Sequence, residues 1–300
     1  MQGALDLWAA YSSTVAFAMV NALFALSAFA ALSTGVLSFS TVVYAAVGGF
    51  LSAQMVAKFG MPLPAAFLLA IVAGVAAAAL VSAAFLRLES HWIALSSLAL
   101  ILIARVTVLN APSLTGGVNG LFVPLRLSPL ALAGVLVLCC LVFWRLHHSW
   151  YGLAARAVRE DAVVASTIGM NPRAIQWIGA LVSGGVGGAA GAALAFTLQF
   201  ISADTYFIGL AFTMIASTVL GGSFHWLGPV VGAAVFTALP ALMQSVLPQI
   251  EDVARGVALL LIMIFMPRGI VDPRAAALRR AARDRAGAEA FAPSGPGPDA

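Results

Sequence analysis

Residues Trp150–Arg173, WYGLAARAVREDAVVASTIGMNPR, decide how the chain is read. Arg156, Arg159, Glu160, Asp161 and Arg173 fall within 18 residues, while the long apolar runs on either side carry little charge. Ala154, Val158, Ala162, Ala165 and Ile168 recur at steps of three and four, the spacing of one side of a helix. Gly169 has no Cβ to resist a left-handed turn, so it predicts the end of that helix. Asn171 and Pro172 then supply a cap and a first-turn proline for the next one. The expectation is one short, charged, interfacial helix at about 150–171 between two membrane spans. Such a helix offers a water-soluble partner something to push on.

Working outward, the 300 residues are 62% hydrophobic and 9% charged, with a mean hydropathy of +1.03. A soluble domain is about 25% charged, and this chain lacks the polar surface to match. The composition predicts an all-α, polytopic bundle of transmembrane helices in a lipid bilayer. Fourteen of the 15 basic residues are arginine, and they gather in loops and a tail rather than in a nucleic-acid-binding patch. No nucleic-acid partner is expected. Cys139 and Cys140 are adjacent within an apolar run, where they read as packing residues rather than as metal or redox ligands.

A helix needs about 20 apolar residues to cross the hydrocarbon core. Nine runs qualify, at about 13–32, 37–57, 62–86, 92–109, 128–146, 175–200, 206–220, 228–247 and 253–266, the last of them short. A turn-rich stretch, NAPSLTGGVNGLFVPLR, separates the fourth and fifth. If SFST and Gly48-Gly49 make a re-entrant element, the count is eight. Residues 1–270 form the permeation domain on this reading, and 271–300 an arginine-rich tail, partly disordered. With nine spans and the tail inside, eleven basic residues are cytoplasmic: Arg87, Arg145, Arg156, Arg159, Arg173, Arg268, Arg274, Arg279, Arg280, Arg283 and Arg285. Lys58, Arg126 and Arg255 fall outside. That asymmetry is the cytoplasmic-positive bias of membrane proteins.

The sixth run contains GALVSGGVGGAAGAALA. Gly184 with Gly188, and Gly187 with Gly191, sit four apart on shared faces, which lets helix backbones approach closely. The face is either internal packing or the side of a translocation path or subunit interface. Arg105 lies within the fourth run, where a charge needs a partner or a route to the surface. It either snorkels outward or meets a substrate carboxylate. Asp204 is expected to be solvated at an outer turn. No phosphate-binding loop, HExxH helix or nucleophile elbow occurs, and the sole lysine stands in VAKFG. The chain is not expected to be an enzyme or to hold a cofactor or metal, so any energy for pumping comes from another subunit.

Four segments together resemble one family. GLAARAVREDAVVASTIGMN at Gly152–Asn171, FISADTYF at Phe200–Phe207, LGGSFHWLGPVVGAA at Leu220–Ala234 and FMPRGI at Phe265–Ile270 occur in that order. The combination is similar to the permease subunits of branched-chain amino-acid ABC transporters of the LivM type, and LTGGVNGL at Leu114–Leu121 also resembles a family segment. The resemblance covers about 33–270. Gln176 stands where members usually carry a basic residue, and Ser40 replaces a glycine of the second-span motif. The family also includes urea and short-amide permeases. The resemblance implies an importer in the bacterial inner membrane. Its parts would be a second homologous permease, two cytoplasmic ATPase subunits and a periplasmic substrate-binding protein. It also implies that Gly152, Arg156, Ala157, Arg159, Glu160, Asp161 and Gly169 form the ATPase-coupling element. The rival reading, a secondary transporter or channel, needs ionisable residues at membrane depth, and only Arg105 offers one.

Overall fold

The structure is a computed structural model that describes residues 2–85, 87, 88, 90–244 and 269–271. It is a helical bundle. In chain order come α1 (Gln2–Leu32), α2 (Thr41–Phe59), α3 (Leu63–Phe85), α4 (Ser90–Asn110), the short α5 (Pro112–Thr115) and α6 (Pro129–His147). They are followed by α7 (Trp150–Glu160), α8 (Ala162–Thr167), α9 (Pro172–Leu198), α10 (Ile208–Gly221) and α11 (Leu227–Gln244). Among the described residues six helices are long and apolar enough to cross a membrane: α1, α2, α3, α4, α6 and α9. The entries to α6 and α9 are built as the sequence predicts. Ser128 accepts from Ala131 N–H and Asn171 from Ala174 N–H, each followed by proline.

The seventh run forms α10, and the eighth forms α11, which is described as far as Gln244. Ser202–Thr205 make a turn, with Thr205 N–H bonded to Ser202 C=O, so α10 starts only at Ile208. Its 14 residues span about 21 Å, less than the core thickness of about 30 Å. α10 packs on α11, and both pack on α1. The ninth expected span and the tail beyond Val271 lie outside the described residues.

The core is organised around α9, which packs against α1, α2 and α3 and is the most buried of the six long helices. A Cβ on Gly188 would fall on the Ala70 carbonyl, and one on Gly184 on Ala78 and the Gly74 carbonyl. On the next face, Gly187 stands over Ser27 and Thr41, and Gly191 over the Ala45 carbonyl. Backbones are in direct contact here, which is how helices gain packing energy in lipid. Hydroxyls add to it: Ser27 donates to Ser183 C=O at 2.6 Å, and Thr41 Oγ1 lies 3.1 Å from Ser183 Oγ.

α2 begins partway along α9. Ser183 is 11 positions into α9, about 16 Å along its axis, and Thr41 at the start of α2 meets it there. Residues 36–40 lead inward without helical structure, with Phe39 N–H bonded to Ser97 Oγ at 3.0 Å. Ser38, Ser40 and Tyr44 then form a chain of hydroxyls. SFST therefore is an unwound entry, and α2 still crosses to the far end.

Connections segregate to two ends. At one end Gly35, α7, the α10–α11 turn and residues 269–271 come together; Ile270 and Val271 donate to Leu220 and Gly221 carbonyls. At the other, Lys58 Nζ donates to Ser113 C=O, and β1 (Leu121–Phe122) pairs antiparallel with β2 (Phe200–Ile201). This two-stranded clasp is the only sheet among the described residues.

Candidate functional site

The charged stretch folds as two helices, where the spacing predicts one. Asp161 takes an extended conformation, φ −156° and ψ 110°, and breaks the helix. Its Oδ1 accepts from Val163 N–H at 2.8 Å and Val164 N–H at 3.0 Å, an N-cap for α8. The cap satisfies two amides that a helix start leaves without partners. The expected apolar stripe is accordingly cut short. Ala154, Val158 and Ala165 are buried with Ala155 and Ile175, but Ile168 is 67% exposed. Val163 and Val164, off the expected stripe, are 74% and 58% exposed. Gly169 has φ +85°, and Met170 N–H returns to Ala165 C=O.

α7 is fixed to the bundle at several points. A Cβ on Gly152 would lie 2.5 Å from His147 C=O, so only glycine permits the tight α6–α7 corner. Arg156 Nε donates to Gly152 C=O at 3.0 Å and Nη2 to His147 C=O at 3.3 Å. Arg159 donates to Ser223 C=O and, at 2.7 Å, to Ser223 Oγ. Its guanidinium lies 4.5 Å over the Phe224 ring. Burial lowers the Arg159 pKa, with Glu160 opposing. Gly35, at φ +83°, lets the α1–α2 loop approach, its Cβ position 3.2 Å from Arg159 Cα. Ala157 is half-buried and its C=O accepts from Asp161 N–H, while Glu160 is exposed at the end of α7. Thus Gly152, Arg156 and Arg159 meet the bundle, whereas Asp161 and Gly169 shape α8.

Beside α7 is a cavity of about 370 Å³ bounded by α1, α6, α9 and the α10–α11 turn. His147 lines it, and its ring centroid lies 5.4 Å from that of His148 and 5.2 Å from that of His225. Burial, then the charges of His148 and Arg156, lowers the His225 pKa below its ordinary value. Among the described residues no group of three or more His, Cys, Asp or Glu could hold a metal ion.

Arg105 is far from this cluster. Its carboxylate partner is Asp204: Nη2 is 2.8 Å and Nε 2.9 Å from Asp204 Oδ1. The pair ties α4 to the turn before α10, with Arg105 4.7 Å over Phe207. Asp204, expected to be merely solvated, is thus engaged, although 69% exposed. Gly184, Gly187, Gly188 and Gly191 all face neighbouring helices of the same chain. Sequence reasoning missed Gly35, Tyr151, Ser223 and Phe224. The segment LGGSFHWLGP held a signal for the last two, since it is a polar interruption between apolar runs.

Comparisons with known proteins agree on one family. Residues 10–266 match the family described as branched-chain amino acid transport system / permease component. The high-affinity branched-chain amino acid transport system permease protein LivM of Escherichia coli (strain K12) is 26% identical over 265 residues, covering 75% of this chain and 61% of that protein. LivM of Salmonella typhimurium is 24% identical with the same coverage. The chain thus spans 61% of the length of these curated relatives. The guanosine ABC transporter permease protein NupQ of Bacillus subtilis is 31% identical over 106 residues, 34% of this chain and 33% of that protein. No solved structure matches.

Proposed function

Because the chain belongs to the branched-chain amino acid transport system permease component family, we propose that it is a multi-pass permease subunit of an ATP-binding-cassette importer in the bacterial inner membrane. Residues 1–270 form the permease domain and 271–300 a cytoplasmic tail. A second homologous permease completes the membrane path, two cytoplasmic ATPase subunits drive it, and a periplasmic binding protein delivers the cargo. ATP hydrolysis belongs to those separate subunits.

The observation that carries this reading is the α7–α8 element. α7 is bound to the bundle by Arg156, through His147 C=O, and by Arg159, through Ser223. The Asp161-capped α8 presents Val163, Val164 and Ile168 outward. An apolar tip rimmed by Glu160, Asp161 and Arg173 suits a water-soluble partner that must grip and let go. Motion of that partner would reach α1, α9 and the α10–α11 turn through the contacts of α7, tilting a two-state membrane path. Arg87, Arg145, Arg156, Arg159 and Arg173 lie at the α7 end, against Lys58 and Arg126 at the other, which supports a cytoplasmic α7.

The cargo proposed is a branched-chain amino acid, by similarity to LivM. Nucleosides are the second reading, because NupQ and the nucleoside permease NupC of Lactococcus lactis also match. Vesicles carrying the chain with its ATPases, partner permease and binding protein test both. ATP-dependent leucine uptake is expected. Guanosine uptake without leucine uptake selects the second reading, and uptake that ignores ATP rejects the importer.

A further inference from the structure

The cavity beside α7 has two kinds of wall. Inside, Phe29, Phe143 and Val182 are apolar. Val182 is 10 positions into α9, so this wall reaches about 15 Å below the α7 end. At the mouth stand Arg156, Arg159 and His147, with Glu160 the one carboxylate among the lining residues. Arg156 uses Nε and Nη2 on backbone carbonyls, so its Nη1 donors are not needed for those two bonds. Tyr151 also lines the cavity, with its hydroxyl buried beside Gly179 of α9 rather than open to the cavity.

We propose that this cavity binds the phosphate of an anionic phospholipid, with the first carbons of an acyl chain against the apolar wall. Arginine at an interfacial depth suits a phosphate, and basic pockets between membrane helices take anionic headgroups. A soluble phosphate would leave the apolar wall, set at membrane depth, unused. The volume admits a headgroup and the start of a chain, not a whole lipid. The rest has a route: Leu146 lines the cavity, and Val142 and Leu138 follow one and two turns along the same face of α6, 44% and 61% exposed. Trp144 and Trp150, 50% and 72% exposed, flank the site as interfacial tryptophans do. The lipid would clamp α7 against α1 and α9, so its presence sets the position of the partner-facing element. The leaflet assignment rests on the cytoplasmic α7 proposed above; the binding itself does not.

The full chain in detergent, equilibrated with equal phosphatidylglycerol and phosphatidylcholine, is weighed by native mass spectrometry. One phosphatidylglycerol should be retained per chain in preference to phosphatidylcholine. Arg156→Gln should weaken retention about tenfold through the lost charged hydrogen bond. Arg145→Gln, on α6 but outside the cavity, should leave it unchanged. Val182→Phe keeps both arginines, fills the inner wall and should expel the lipid too. Equal retention of the two lipids, equal loss in Arg145→Gln, or displacement by excess inorganic phosphate alone overturns the proposal, the last by identifying a soluble-anion site. If Ser166→Cys proved accessible from outside intact cells, the importer reading would fall while the mass measurement still judged the lipid.

Discussion

Glu160 and Asp161 are adjacent carboxylates with different tasks. Asp161 caps α8; Glu160 closes α7 and lines the cavity. Asp161→Ala should cost about 1 kcal/mol, as lost caps do, and should speed amide exchange across Val163–Thr167. Asp161→Asn should restore the protection, and Glu160→Ala should not disturb it. In α9, Gly188→Ala pushes a methyl onto the Ala70 carbonyl. It should lower stability by about 1–3 kcal/mol, the usual cost of overpacking. Gly134→Ala, in open space on α6, should leave thermal unfolding of the solubilised protein nearly unchanged. The glycine spacing in α9 was legible because a four-residue period survives in any helix. The cap at Asp161 was not, since the apolar period runs on through a single extended residue.

At the scale of elements, the six long spans were legible because an apolar window of the right length has one outcome in lipid. The bounds of α10 were legible too, since the run at 206–220 became Ile208–Gly221; what hydropathy does not register is the hydrogen-bonded turn at Ser202–Thr205 that precedes it. The α7 corner adds a pH dependence. The folded state holds His225 below its ordinary pKa of 6.5, first through burial and then through His148 and Arg156. Its Nδ1 also accepts from Leu227 N–H at 3.2 Å. The unfolded chain therefore binds the proton more readily, and this contribution to stability, present above about pH 6.5, is lost as pH falls below it. Exchange of α7 and the α10–α11 turn, corrected for intrinsic rates, should rise on acidification below that point. His225→Gln should reduce the response; an unchanged slope would remove His225 as a source of it.

For the whole molecule, sidedness governs every functional role. In a chain with Cys139 and Cys140 replaced by alanine, Ser166→Cys on α8 should resist a membrane-impermeant thiol reagent on intact cells and react once the membrane is opened. Val118→Cys, 83% exposed at the opposite end, should react in intact cells. The reverse pattern would invert the protein and detach α8 from any cytoplasmic partner. Which ends of which helices meet was not legible, because the joining contacts link distant residues: Gly35 with Arg159, Arg159 with Ser223, Leu220 with Ile270. The same distances impose an order in time. Ser27 finds its acceptor on Ser183, 156 residues later, a delay of roughly 10–30 s at ribosomal speed. During that interval α1, α2 and α3 are already made, while the glycine ridge they close on is not. The first third of the nascent protein must therefore wait in the bilayer or the insertion machinery with polar hydroxyls and bare backbone facing lipid, and synthesis of α9 is the event that releases it.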